Sequence, residues 1–152
     1  MKYPTTRFGE IEIAEDKILS FPEGLYGFEN ESGFTLLPFD PNIDCPLEWM
    51  QSLTTPRLAF VVTDPLLFHP DYRWTLTAEE KRQLEIKAGD EIATRVIVTI
   101  PEVYTQMTAN FIAPLIINLD KRRVKQVVLT TVEYDTRHFL LPEETRKSGA
   151  PV

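Results

Sequence analysis

Cysteine is nearly absent from this sequence. One residue, Cys45, stands among 152, so no internal disulfide can form. With no disulfide framework and no charged-then-apolar leader pattern at the start, a reducing cytosol is the expected compartment. Histidine is scarce too. His69 and His138 lie far apart and neither is near Cys45 in sequence, so nothing matches zinc-ligand spacing. No metal or other cofactor is expected. No apolar run approaches the ~18 residues of a membrane span, so a membrane is not an expected partner. There is no G-x-S-x-G elbow and no Cys/His pair that points to a nucleophile. These absences lead to an expectation of no catalytic site.

Basic residues are scarce in one half only. Residues 1–66 hold four Lys and Arg against eleven Asp and Glu, and residues 67–152 hold twelve of each. The net charge of −7 therefore lies wholly in the first half. Such a half repels nucleic acid and attracts a basic partner; the plainer account is solubility. The one basic cluster, Lys121, Arg122, Arg123 and Lys125, follows "IINLD" and has the look of a hairpin turn carrying solvated charge. It lacks the interleaved aromatics of an RNA site, so direct nucleic-acid binding is not expected.

What the chain has is short apolar runs. "FGEIEI" (8–13), "KILSF" (17–21), "FTLLPF" (34–39), "LEWMQSL" (47–53) and "RLAFVVT" (57–63) are followed by "YRWTL" (72–76), "RVIVTI" (95–100), "ANFIAPLIIN" (109–118) and "VKQVVLTTVEY" (124–134). They are rich in Val, Ile, Phe and Thr and are punctuated by Pro, Asp, Asn and Gly. This spacing predicts a mainly β protein, a single compact antiparallel barrel- or sandwich-like domain. Pro114 implies a bulge or an edge inside its run. "TAEEKRQL" (77–84) departs from the pattern: Thr77 with Glu80 three residues on is a capping box, so a short helix begins there. A second helical turn is expected near "GDEIA" (89–93). The domain is expected to span residues 1–142, with a flexible tail over 143–152.

The sequence has six glycines, and two of them, Gly24 and Gly27, fall three apart in "FPEGLYGFE" (21–29). A P-loop would follow its glycines with Lys and Ser/Thr, and a dinucleotide loop would open a helix. Here Phe28, Glu29 and Asn30 follow, and Glu23 and Glu29 would repel phosphate. Pro22 fixes φ for a turn and Gly24 can take φ above zero. Either the aromatics fold back onto the core or some of Phe21, Leu25, Tyr26 and Phe28 stay at the surface for a partner to bury.

Three segments, in order, resemble the FliW family of flagellar assembly factors: "FPEGLYGFE", "WMQSLTTPRLAFVVTDP" (49–65), and "TANFIAPLIIN" (108–118) followed by "QVVL" (126–129). The likeness covers residues 3 to about 140, and departs at Phe111 and Tyr26, where the family usually has Leu and often Pro. The resemblance implies a small β-rich protein without enzymatic activity and with two alternative partners. One is flagellin in the cytoplasm. The other is CsrA, a translational repressor of flagellin synthesis, whose repression the family relieves by binding it. Flagellin that occupies the protein releases CsrA to repress again.

The residues offer further candidates for partner contact. Alternation puts Tyr72, Trp74 and Leu76 on one face, so "YRWTL" can be read as an edge strand open to pairing with a partner segment, or as core. Asn110 and Asn118 bracket a strand-like run and either bond neighbouring loops or shape a contact. The candidate protein-binding residues are thus Phe21, Glu23, Gly24, Tyr26, Gly27, Phe28, Tyr72, Trp74, Asn110 and Asn118. Two other classes compete with a regulatory binding protein. One is a hydrolase using scattered carboxylates such as Glu23 and Asp64, and the other is a small RNA-binding β-barrel.

Overall fold

The computed structural model describes residues 1–131 and 133–148. Most of the β-branched and aromatic runs become strands. They are β1 (Lys2–Thr5), β2 (Gly9–Glu12), β3 (Leu19–Ser20), β4 (Gly33–Pro38), β5 (Leu47–Ser52), β6 (Ala59–Thr63), β7 (Ile92–Thr99), β8 (Thr108–Ala109), β9 (Leu115–Asn118), β10 (Arg123–Gln126) and β11 (His138–Phe139). Among the described residues they are joined by two short α-helices, α1 (Ala78–Gln83) and α2 (Glu143–Ser148), and three single-turn 3₁₀ helices. No helix among the described residues is long and apolar enough to cross a membrane.

Strands β3 to β7 form an antiparallel meander. The first half of β7 then pairs with β9, β9 pairs with β10, and Arg123 of β10 meets Ser20 of β3 in a parallel bridge. The circuit closes on itself, so the strands of this barrel leave no unpaired edge along the ring. The far end of β7 carries a branch, β8 and then β11. The β1–β2 hairpin forms a separate sheet, tied on where the Thr6 N–H donates to Pro56 O at 2.9 Å.

Strand alternation sorts the core. Phe34, Met50, Val62, Leu115, Ile117 and Val124 meet Leu19, Phe21 and Leu25 in one buried cluster. The opposite faces of β5 and β7 send Leu47, Val96 and Val98 to a second cluster with Tyr72, Phe111, Tyr134 and Leu140. Ile116 points to a third, with Leu84 and Val127. Strand β9 is therefore covered on both sides, which is why "LIIN" is apolar without alternation. Helix α1 starts as its capping box dictates: the Glu80 N–H donates to Thr77 Oγ1 at 3.1 Å and the Thr77 N–H to Glu80 Oε1 at 2.8 Å.

Three local expectations are corrected. Residues 72–76 form no strand. The segment is a strap across the second cluster, held by side chains: Tyr72 Oη donates to Phe111 O at 2.6 Å and the Arg73 N–H to Tyr134 Oη at 3.1 Å. Burial, with the neighbouring Tyr134 adding to it, raises the pKa of the Tyr72 phenol well above its ordinary value. Tyr72 is buried and Trp74 half-buried between two clusters, so their alternation reflects packing and offers no ladder to a partner. Residues 89–93 form no helical turn, because Gly89 sits at φ +89° and β7 begins at Ile92. The run 124–134 is strand only as far as Gln126. Beyond it, Val127 N–H donates to Pro114 O and Leu129 N–H to Ile112 O, outside any regular ladder. Pro114 does interrupt its run, which divides into β8 and β9. Within 143–152, Glu143–Ser148 is helical and residues 149–152 lie outside the described residues.

Candidate docking groove

The connection from β3 to β4 contains "FPEGLYGFE". Its first turn closes when the Gly24 N–H donates to Phe21 O at 2.9 Å. Leu25 and Phe28 then bridge each other, with N–H to O distances of 3.3 and 2.8 Å, and Tyr26-Gly27 form the tip. Gly24 has φ +67° and Gly27 φ +87°. The two glycines differ in surroundings. A Cβ on Gly24 would lie 2.6 Å from the Cα and O of Glu29, whereas one on Gly27 would meet nothing within 4 Å. Gly24 is where the loop passes over its own backbone.

This fold-back divides the loop's apolar residues. Phe21 and Leu25 are buried, with the Phe21 ring edge-on to Phe34 at 4.9 Å. Tyr26 stays 63% exposed and Phe28 41% exposed, Phe28 resting edge-on against Phe60 at 5.3 Å. Tyr26 and Phe28, together with Phe60 and Ile97 of the barrel and Asn110 and Ile112 of the bend between β8 and β9, line a groove of about 470 Å³. Val128, itself exposed, also borders it. A smaller polar recess of about 120 Å³ adjoins at Tyr26, lined by Glu23, Gly24, Glu29 and Lys125 among others. There Lys125 Nζ donates to Glu23 Oε2 at 2.8 Å.

Both groove walls are held by side-chain bonds. Asn110 Oδ1 accepts from the Ala113 N–H at 3.2 Å, while the Asn110 N–H donates to Ile97 O at 2.9 Å. Gln126 Oε1 accepts from the Tyr26 N–H at 2.9 Å and Gln126 Nε2 donates to Ala113 O at 3.4 Å. The Gly27 N–H donates to Glu29 Oε2 at 2.9 Å. What the arrangement presents is two exposed aromatic side chains on a braced loop beside an apolar channel, a geometry suited to receiving apolar side chains of a protein.

Of the ten candidate residues, the groove gathers Tyr26, Phe28 and Asn110, while Glu23 and Gly24 border the recess and Gly27 lies at the tip. Four are placed elsewhere. Phe21 is 1% exposed and packs in the barrel, so its surface reading is corrected. Tyr72 and Trp74 belong to the strap. Asn118 is fully buried: its Nδ2 donates to Leu84 O and to Asp90 Oδ2, both at 3.0 Å, and its Oδ1 accepts from the Asp120 N–H at 3.1 Å. It clasps the end of α1 to the β9–β10 turn and presents nothing to a partner. Asp90 in this clasp has its pKa lowered, first by the Lys87 N–H and then by the Asn118 amide and Lys121.

The charged side chains are largely engaged inside the molecule. Lys121 pairs with Asp90 at 3.1 Å, Arg123 with Glu85 at 3.5 Å, and Arg122 Nη1 donates to Glu15 O at 2.7 Å. With Lys125 on Glu23, every cation of the basic hairpin has a partner. Among the carboxylates, Asp64 caps a turn by accepting from the Leu66 N–H at 3.0 Å. Glu31 accepts from Ser52 Oγ and, at 2.6 Å, from Thr55 Oγ1, latching the loop to the β5–β6 turn.

Sequence reasoning missed two features. His69 and His138 come together, ring centroids 5.5 Å apart, and His138 stacks on Phe111 at 4.4 Å and 11°. Burial, then the neighbouring His69, lowers the His138 pKa, with Asp135 pulling the other way. The other is Gln126, one hundred residues from Tyr26 in sequence. Separations this long leave no local pattern that would have revealed either.

Comparison with known proteins covers nearly all of this architecture. The FliW protein family model matches residues 2–140. The flagellar assembly factor FliW of Geobacillus thermodenitrificans is 40% identical over 147 residues, which are 97% of this chain and 100% of that protein. The corresponding factor of Alkaliphilus metalliredigens is 37% identical over 139 residues, 91% of this chain and 85% of that protein. A crystal structure of the flagellar assembly factor FliW aligns with a TM-score of 0.84 at 39% identity, covering 95% of this chain and 99% of that one.

Proposed function

The chain belongs to the FliW family of flagellar assembly factors, and from that membership we propose that it regulates flagellar assembly as a binding protein, without catalysis, using the groove beside Tyr26. Its partners are cytoplasmic flagellin and the translational repressor CsrA. Bound to CsrA, it relieves repression of flagellin synthesis; occupied by unexported flagellin, it lets CsrA go. The family resemblance supplies these two names. The observation that carries the binding reading is the pair of exposed aromatics, Tyr26 and Phe28, standing on a braced loop at the edge of an apolar groove. Aromatic residues are enriched at protein interfaces, and Tyr is among the residue types most frequent in the few positions that dominate binding energy.

The charge distribution supports the same reading. An acidic first half attracts a basic, RNA-binding protein and speeds its encounter. The competing classes find less support. The cations that an RNA site would use are paired to carboxylates or carbonyls of the chain. The carboxylates named for a hydrolase are engaged structurally, Glu23 with Lys125 and Asp64 as a turn cap.

Titration calorimetry with purified CsrA and with purified flagellin tests the proposal. Each protein is expected to bind with measurable heat, and flagellin added to the CsrA complex is expected to displace CsrA. Absence of binding to both would overturn it.

A further inference from the structure

We propose that Gln126 is a positioning residue for partner binding, fixing where the Tyr26 side chain stands at the groove by tying the backbone beneath it to the opposite bend through the two ends of one side-chain amide. This rests on the reading of the groove as the docking site.

The side chain is 8% exposed, at the last residue of β10. Its Oε1 accepts from the backbone N–H of Tyr26, in the loop wall. Its Nε2 donates to the backbone O of Ala113, in the opposite bend. A buried amide must satisfy a donor and an acceptor at once. Here each requirement is met on a different wall. The remaining hydrogen bonds of residues 24–29 run within the loop: Gly24 to Phe21, Leu25 and Phe28 to each other, Gly27 to Glu29 and Glu31 to Phe28; just before them, Glu23 is tied to Lys125 by an exposed ion pair. Among the described residues, the Tyr26–Gln126 bond is the one that leaves this tip for the barrel. The glycines give the tip its shape, and Gln126 determines where that shape stands relative to Asn110 and Ile112.

The chemistry is particular to glutamine. A carboxylate at 126 would keep an acceptor for the Tyr26 N–H but set a negative oxygen against Ala113 O. Methionine fills a similar volume but makes neither bond, leaving the Tyr26 backbone unanchored between Leu25 and Phe28, which keep their packing. A tip that must be ordered on binding loses affinity to entropy, which a held tip does not. A glutamine that served only the fold would affect stability and leave recognition by Tyr26 untouched.

The test is a double-mutant cycle of Gln126→Met and Tyr26→Ala, read as flagellin affinity by calorimetry. With Tyr26 present, Gln126→Met is expected to weaken binding about three- to tenfold, the worth of one hydrogen bond. With Tyr26 already removed, the same change is expected to weaken it less than about twofold, because the two residues act as a unit. Equal losses in both backgrounds, or no loss in either, overturn the assignment. A Tyr26→Ala protein with full affinity overturns the reading of the groove, and this inference with it; a weakened Tyr26→Ala beside an unweakened Gln126→Met overturns the role of Gln126 alone. Amide exchange of the wild-type Tyr26 N–H needs no variant. Protection in the free protein is expected, and exchange at the rate of an unstructured chain overturns the proposal even where Gln126→Met does not fold.

Discussion

Replacing each glycine of the loop by alanine separates a conformational requirement from a steric one. Gly24 and Gly27 both have positive φ, at +67° and +87°. For an L-residue in that region the backbone penalty is about 1–2 kcal/mol. Gly27→Ala should incur little else, since its Cβ would enter open space. Gly24→Ala adds a collision: the new carbon would lie 2.6 Å from both Cα and O of Glu29. Backbone cannot rotate away as a side chain can, so the 27–29 arm must move, at the expense of the two hydrogen bonds of the Leu25–Phe28 bridge. Losing those two contacts brings the total for Gly24→Ala to about 3–4 kcal/mol. In a domain of this size each kcal/mol moves Tm by roughly 2–4 °C. Thermal melts should therefore place Gly24→Ala roughly 6–16 °C below the wild type, and Gly27→Ala only about 2–8 °C below. Equal shifts for the two variants would refute the claim that the chain crosses itself at Gly24.

Other consequences follow from the charged and polar contacts. Asn118→Ala removes the clasp between α1 and the β9–β10 turn, and should lower stability by about 3 kcal/mol in chemical denaturation; a loss below about 1 kcal/mol would show that the clasp is dispensable. His138 has its pKa lowered from 6.5 in the folded state, so the unfolded chain takes up the proton first. Its share of stability is whole above pH 6.5 and declines as pH falls from 6.5 to the lower folded value. His138→Phe, which preserves stacking on Phe111, should flatten that part of a stability-against-pH curve, and an unchanged slope would contradict the assignment. Reversing Glu23 and Glu29 to Lys should slow association with CsrA and flatten its salt dependence. These two carboxylates make only exposed contacts, to Lys125 and to the Gly27 N–H, whereas Glu31, part-buried on Ser52 and Thr55, is left unchanged. Association rates that match the wild type across a salt series would reject an acidic docking face.

Local chemistry was legible in the sequence where local chemistry decides the outcome. Thr77 and Glu80 satisfy each other's backbone donors within one turn, and the helix begins there. Pro114 lacks a donor, and its run breaks into β8 and β9. Gly24 takes the positive φ open to a glycine after Pro22, and Gly27 takes one as well. Partition between surface and core was not legible. Phe21 and Phe28 are the same residue type seven positions apart, yet one packs on Phe34 inside the barrel and the other lies against Phe60 at the groove edge. The difference is set by partners on other strands. "YRWTL" shows how the period of two misleads: Tyr72 and Trp74 alternate with polar residues because a strap also has an inner and an outer side. Asn110 and Asn118 looked equivalent, but Asn110 faces the groove while Asn118 meets Leu84 and Asp90, about thirty residues away. Barrel closure through β7 and β9 had no local signature at all.

The most direct test of the docking groove sets the affinity of Tyr26→Ala for flagellin and for CsrA against its melting temperature. Tyr26 is 63% exposed and its backbone, not its ring, makes the bond to Gln126. Truncation should therefore leave stability within about 0.5 kcal/mol of the wild type and reduce affinity by about 1–2 kcal/mol or more, the range of an interface anchor. Full affinity for both partners, or a stability loss of roughly 3–5 kcal/mol as for a core aromatic, would contradict the account.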